Sequence, residues 1–322
     1  TRIGDQVFAN CGKLNLRELP KNLREISDGA FIDCSKLQLK RLPDGLEIIG
    51  KDAFKGCEKL QLEALPANLR EINDDTFVYC SKLQLKRLPD GLEIIGKNAF
   101  KGCENLQLES LPEGLTRIGD YAFAYCSNLR LESLPEGLTK ICDYAFVDCS
   151  NLQLKGLPNG LEIIGRNAFG GCENIQLASL PEGLTRIGDY AFDDCSKLQL
   201  EALPNGLQII GKLAFADTGI RTITIPASVT ELGNSAFDTD SIEEINLEQG
   251  SRLNDGDIER AYGRQLRRIQ RRAVFQQEHL RIGQEIIIPV ELNAENAERE
   301  CSICYCNFNE VEGPVGRLLC GH

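Results

Sequence analysis

Apolar and polar positions along most of this chain follow a pattern that returns every 23 residues. One unit carries apolar residues at Leu37, Leu39, Leu42, Leu46, Ile49, Ala53, Phe54 and Cys57, with mostly polar residues between them. A Phe column runs at that step from Phe8 through Phe31 and Phe54 to Phe215, and a Cys column from Cys11 through Cys34 and Cys57 to Cys195. No single unit can bury such a set. Stacked units can, because each Leu and Phe then covers its counterpart while the backbones pair at the ~4.8 Å spacing of strands. The pattern therefore predicts a solenoid of about ten coils over residues 1–247, an α/β fold of parallel strands with short helical turns. Within a coil, Leu37-x-Leu39 predicts the strand, Pro43-Asp44-Gly45 a turn and Asp52-Ala53-Phe54 a short helical turn.

Residues 43–63 and 89–109 are nearly identical, so the array is expected to have grown by duplicating pairs of coils. The step shortens to 22 residues between Phe215 and Phe237, and residues 228–247 are the expected C-terminal closure. A connector follows over 248–298. In it Ile258, Tyr262, Leu266 and Ile269 recur at helical spacing, predicting a basic amphipathic helix over about 257–278 with Asp257 as its N-cap. Its arginines, from Arg260 to Arg272, form either a solvated face or a site for an acidic partner.

The formal net charge of -12 excludes general affinity for nucleic acid or anionic lipid, so neither is expected as a partner. Residues 251–322 are close to balance, so the repeats carry the acidity. No run approaches the ~18 apolar residues of a membrane span. The chain holds no Met and opens in the middle of a repeat, so the lack of a signal segment at its start says little. Of its 14 Cys, nine share the repeat period, where small apolar side chains are needed. Cys142 stands alone where sister repeats have Gly, and four Cys cluster after residue 300. Unpaired thiols of this kind are expected in an intracellular, reducing compartment, the cytoplasm.

Three polar or mixed columns are candidates for recognition. Gln38, Gln61, Gln84 and their successors, interrupted by Arg130, form either an amide ladder or a contact surface. Two positions further on, the charge varies in sign while the framework stays constant, as from Lys86 to Glu109, Glu132 and Lys155. These four are the expected partner-binding residues, since a solenoid places specificity on variable polar positions of a fixed surface. Ile48, Ile94, Ile163 and Ile209 stand where other coils carry charge, expected to be partly buried against the adjacent coil.

The Pro, Ile-Gly, Ala-Phe and Cys-x-x-Leu landmarks of each unit resemble the BspA-like class of leucine-rich repeats. That class usually spaces its strand as in Ile220-x-x-Ile223-x-Ile225-Pro226. Earlier units here read Leu37-x-Leu39-x-x-Leu42-Pro43, so their strand is expected to turn a shifted face inward.

Near the C-terminus, Cys301-x-x-Cys304 is followed after fifteen residues by Cys320-Gly-His322. Thiolate and imidazole are zinc ligands, and two Cys at this short spacing reach one ion. The set resembles the first half of a RING-type zinc finger. That resemblance implies two zinc ions in a complete finger, with Cys301 and Cys304 on one and Cys320 and His322 on the other. It also implies that Ile303 contacts a ubiquitin-conjugating enzyme. The chain would then be a fragment of a RING ubiquitin-protein ligase whose repeats hold a protein substrate. With four of eight ligands present it is expected to be inactive by itself. The alternatives are a non-enzymatic interaction scaffold with a structural finger, or a surface adhesin.

Overall fold

The computed structural model describes residues 1–263. Eleven two-residue strands mark eleven coils of a parallel β-solenoid: β1 (Arg2–Ile3), β2 (Glu25–Ile26), β3 (Ile48–Ile49), β4 (Glu71–Ile72), β5 (Ile94–Ile95), β6 (Arg117–Ile118), β7 (Lys140–Ile141), β8 (Ile163–Ile164), β9 (Arg186–Ile187), β10 (Ile209–Ile210) and, one strand further on, β12 (Glu231–Leu232). Two four-residue strands, β11 (Thr222–Ile225) and β13 (Glu244–Leu247), pair with each other in parallel.

The core is a set of columns. Phe8 to Phe237 stack face to face, neighbouring centroids 5.2–5.7 Å apart with rings within 13° of parallel. The Cys column packs beside them as expected: from Cys34 to Cys195 every member is buried, and each thiol donates to a Phe carbonyl of the preceding coil, as Cys57 does to Phe31 at 3.1 Å. Burial raises these thiols well above their ordinary pKa; neighbouring cysteines act as smaller influences, and a hydrogen bond from the backbone of the preceding coil's Cys opposes the rise. They are neutral, unreactive packing groups. Among the described residues, no buried side-chain nitrogen or oxygen lacks a partner.

The strand lies elsewhere than Leu-x-Leu predicts. In the early coils Leu37, Leu39 and Leu42 are all buried, which leaves two consecutive outward residues, Lys40 and Arg41. A strand alternates sides, so the chain bends at Lys40 and the ladder passes instead to Ile48–Ile49. Where the inward spacing is Ile223-x-Ile225, alternation holds and β11 forms. The turn at Pro43 is present, closed by the Leu46 N–H on the Pro43 carbonyl at 3.0 Å.

The expected helical turn at Asp52-Ala53-Phe54 is also absent. Asp52 and Gly56 take left-handed φ values of 52° and 71°. Their N–H groups, with that of Phe54, donate forward to Asp74, Val78 and Thr76 of the next coil, while Ala53, Lys55 and Cys57 close local turns. Backbone donors thus alternate between neighbour coil and own turn, which no helix can do.

The two-residue ladder is interrupted twice, between β3 and β4 and between β6 and β7. Both interruptions fall where a column of glycines is broken. At Gly119 an added Cβ would lie 2.7 Å from the Lys97 nitrogen of the preceding coil, so a side chain there meets the neighbouring backbone. Asn73 and Cys142 occupy that column in the coils of β4 and β7, whereas the smaller Ser27 in the coil of β2 keeps its N–H on the Ile3 carbonyl at 3.0 Å.

The C-terminal closure is not residues 228–247. That stretch forms the eleventh coil, with Phe237 stacked on Phe215 at 5.2 Å. The helix α1 (Asp255–Tyr262) covers it: the Arg260 and Ala261 carbonyls accept the N–H groups of Ser235 and Phe237, bonds that a further coil would make. The Tyr262 hydroxyl accepts from the Ile245 N–H at 2.8 Å. Its N-cap is Asn254 rather than Asp257; Asp257 is three residues inside and completes a capping box. The helix stops at Gly263. The rest of the predicted helix over 257–278 lies outside the described residues.

Candidate partner-binding surface

Each member of the variable column sits at the bend of its coil, because that residue follows the second inward Leu and begins the outward pair. Lys86, Glu109, Glu132 and Lys155 are all exposed bend residues. Lys86, Glu109 and Glu132 line one shallow hollow of about 460 Å³ together with Gln107, Leu108, Asn128 and Arg130. Lys155 stands beside it, its ammonium 2.6 Å from the Glu132 carboxylate.

The floor is held by backbone. The Glu109 N–H donates to the Lys86 carbonyl at 3.0 Å, and Asn128 donates from its side-chain amide to the Glu104 carbonyl at 2.9 Å. Leu108 points into the core between two outward neighbours, Gln107 and Glu109.

Part of the charge variation has an internal cause. Lys155 pairs with Glu132, Arg87 with Glu109 at 3.4 Å, and Arg41 with Glu63 at 3.8 Å, so acid and base alternate partly to satisfy neighbouring coils. These pairs are exposed and each contributes at most about 1 kcal/mol. Among the described residues Lys86 and Arg130 enter no such pair, and both line the hollow.

A second hollow of about 370 Å³ repeats the arrangement near the C-terminal end. There Gln199, Leu200 and Glu201 take the places of Gln107, Leu108 and Glu109, and Arg221 takes that of Arg130. Sequence reasoning found Arg130 as a break in the Gln column but missed Arg221, hidden by the 22-residue step. The Gln column itself is exposed, and no hydrogen bond joins one Gln amide to the next, so it is surface and not a ladder.

Ile94, Ile163 and Ile209 are partly buried as expected, whereas Ile48 is 51% exposed. Cys301, Ile303, Cys304, Cys320 and His322 lie outside the described residues. Among the described residues no group of three or more potential metal ligands converges, and no helix is long and apolar enough to cross a membrane.

The fold and its columns define a leucine-rich-repeat solenoid, a rigid repeated surface suited to protein–protein contact. The family model described as "BspA type Leucine rich repeat region (6 copies)" matches residues 1–130 and 128–244, and the chain belongs to that family. Solved structures with a similar chain include a leucine-rich repeat protein from Bacteroides ovatus, 24% identical over 82% of this chain and 85% of that one, with a TM-score of 0.45. A leucine-rich cell surface protein from Faecalibacterium prausnitzii is 23% identical over 81% and 85%, with a TM-score of 0.48. The leucine-rich repeat protein of T. pallidum is 33% identical over 50% of this chain and 77% of that one, with a TM-score of 0.43. No curated protein matches the chain.

Proposed function

We propose that the solenoid captures a protein substrate and that residues 299–322 begin a RING-type finger that recruits a ubiquitin-conjugating enzyme. The spacing Cys301-x-x-Cys304 to Cys320-Gly-His322, joined in one chain to a repeat surface, carries this reading. A RING finger supplies no nucleophile or base; it brings a charged conjugating enzyme to a bound substrate, and the rate gain comes from proximity and orientation. Capture falls to the hollow around Arg130, whose lining of both charge signs fits a polar protein segment. Zinc, held by those Cys and His side chains, would supply the folding free energy of the finger. A non-enzymatic scaffold is the second reading, because the repeats serve it equally well.

Zinc stoichiometry on residues 1–322 tests the ligand assignment. If the four ligands belong to two different ions, the chain binds zinc weakly and transfers no ubiquitin. One tightly held ion per chain, lost on Cys301→Ser and on Cys320→Ser alike, would mean a single tetrahedral site and sink the RING assignment.

A further inference from the structure

The outward residues of the two-residue strands form a second column, separate from the bend column. Its neighbours are in register: Glu25 beside Ile48, then Glu71, Ile94 and Arg117, then Lys140, Ile163 and Arg186. Charge is segregated over the eight coils of β2 to β9: Glu25 and Glu71 lie in the first half of that span and Arg117, Lys140 and Arg186 in the second, with Ile between, while Arg2 and Glu231 at the two ends of the column carry the opposite signs. Glu71, Arg117, Lys140 and Arg186 are exposed, and none forms an ion pair with another described residue. Arg117 and Lys140, of like charge, occupy consecutive coils.

We infer that this face binds a second copy of the same chain, running in the opposite direction about a two-fold axis that passes between the coils of β5 and β6. An isologous contact needs a surface complementary to its own reverse, which few charge patterns satisfy. Here reversal sets Glu25 opposite Arg186, Ile48 opposite Ile163 and Glu71 opposite Lys140, each pairing occurring twice. Beside the axis itself Ile94 meets Arg117, the one pairing of the four that is neither ionic nor wholly apolar.

The register is selective. Sliding by one coil removes the Ile48 to Ile163 contact and stacks either Arg2 on Arg186 or Arg117 on its own copy. The paired face, eight coils long and five residues wide, measures about 38 by 17 Å, or roughly 650 Å² per copy. Specific interfaces bury about 800 Å² per partner, so the contact is that of a dissociable dimer.

Sedimentation equilibrium of residues 1–322 tests this. The native chain should show a monomer–dimer equilibrium. Glu71→Lys or Lys140→Glu alone should shift it strongly to monomer, and the two together should restore the dimer, because the swap re-forms both ion pairs. Glu25→Arg with Arg186→Glu provides an independent second swap, and unchanged melting curves confirm that the substitutions leave the fold intact. A chain that stays monomeric to its solubility limit would overturn the proposal, as would a dimer indifferent to the single reversals. So would a monomer that takes up an acidic peptide on Arg117, Lys140 and Arg186.

Discussion

Asn73 donates from its side-chain amide to the Ile49 carbonyl at 2.8 Å, standing in for the backbone bond that Gly96 makes to Ile72 at the same distance one coil later. The side chain that holds the coils of β3 and β4 apart also repairs part of the seam. Cys142 holds apart the coils of β6 and β7 but has no amide to offer, so that seam stays unrepaired. Replacing Cys142 with Gly should close it, read as new protection of the residue-142 amide against hydrogen exchange. Gly119→Ala should do the reverse, since its Cβ would lie 2.7 Å from the Lys97 nitrogen. A loss of about 1–3 kcal/mol is expected in urea unfolding. Equal stability of Gly119→Ala and the native chain would show that close approach is not what excludes side chains here.

The Phe column should dominate the core. Phe123 is fully buried, stacked on Phe100 at 5.4 Å and on Phe146 at 5.3 Å. Phe123→Ala should cost about 3–5 kcal/mol and loosen adjacent coils first. Glu132→Ala, at an exposed bend, removes only the surface pair with Lys155 and should cost no more than about 1 kcal/mol. Similar small effects from both would place the core elsewhere.

Thiol labelling distinguishes packing from reactivity. Cys11 is exposed and Cys142 half-buried, while Cys103, Cys126 and Cys172 are buried with strongly raised pKa. Among the described cysteines, timed alkylation followed by peptide mapping should label Cys11 first and Cys142 next, leaving the rest of the repeat column unmodified until the chain unfolds. Early labelling of Cys103 would contradict a closed core.

The columns were legible because stacked coils demand the same shape at every step, so Phe31 and Phe54, or Cys34 and Cys57, announce themselves by period alone. The strand was not, since period-two spacing in Leu37-x-Leu39 imitates one while Lys40 and Arg41 break the alternation a ladder needs. The left-handed turns left a signal that was overlooked. Asn10, Asp33, Gly56, Gly102, Asp148 and Gly171 share one column, and Asn, Asp and Gly are the residues that adopt positive φ at least cost. Tyr79 and Tyr125 interrupt that column, which masked it. The C-terminal closure was misplaced because a one-residue shortening before Phe237 looks like the end of the array, although the ring stack continues through it. Capture by the bend column was legible only in part: Lys86, Glu109 and Glu132 do share a hollow, but pairing such as Lys155 with Glu132 accounts for some of the variation without any partner.

The last prediction concerns pH. Asp193 is pushed up to about 6, mainly by burial and then by the nearby carboxylates of Asp217 and Asp194. An unfolded Asp titrates near 3.9, so between these values the folded chain binds a proton that the unfolded chain releases. The contribution of Asp193 is therefore fully present below about pH 4 and is lost as pH rises through about 6. At neutral pH the folded state holds a half-buried carboxylate facing two others, and Asp193→Asn should relieve it. Thermal melts at about pH 4 and about pH 7 provide the check. The variant should melt above the native chain at neutral pH and with it in acid, where native Asp193 is already protonated. An advantage of the same size at both values would show that the substitution acts through packing and not through charge.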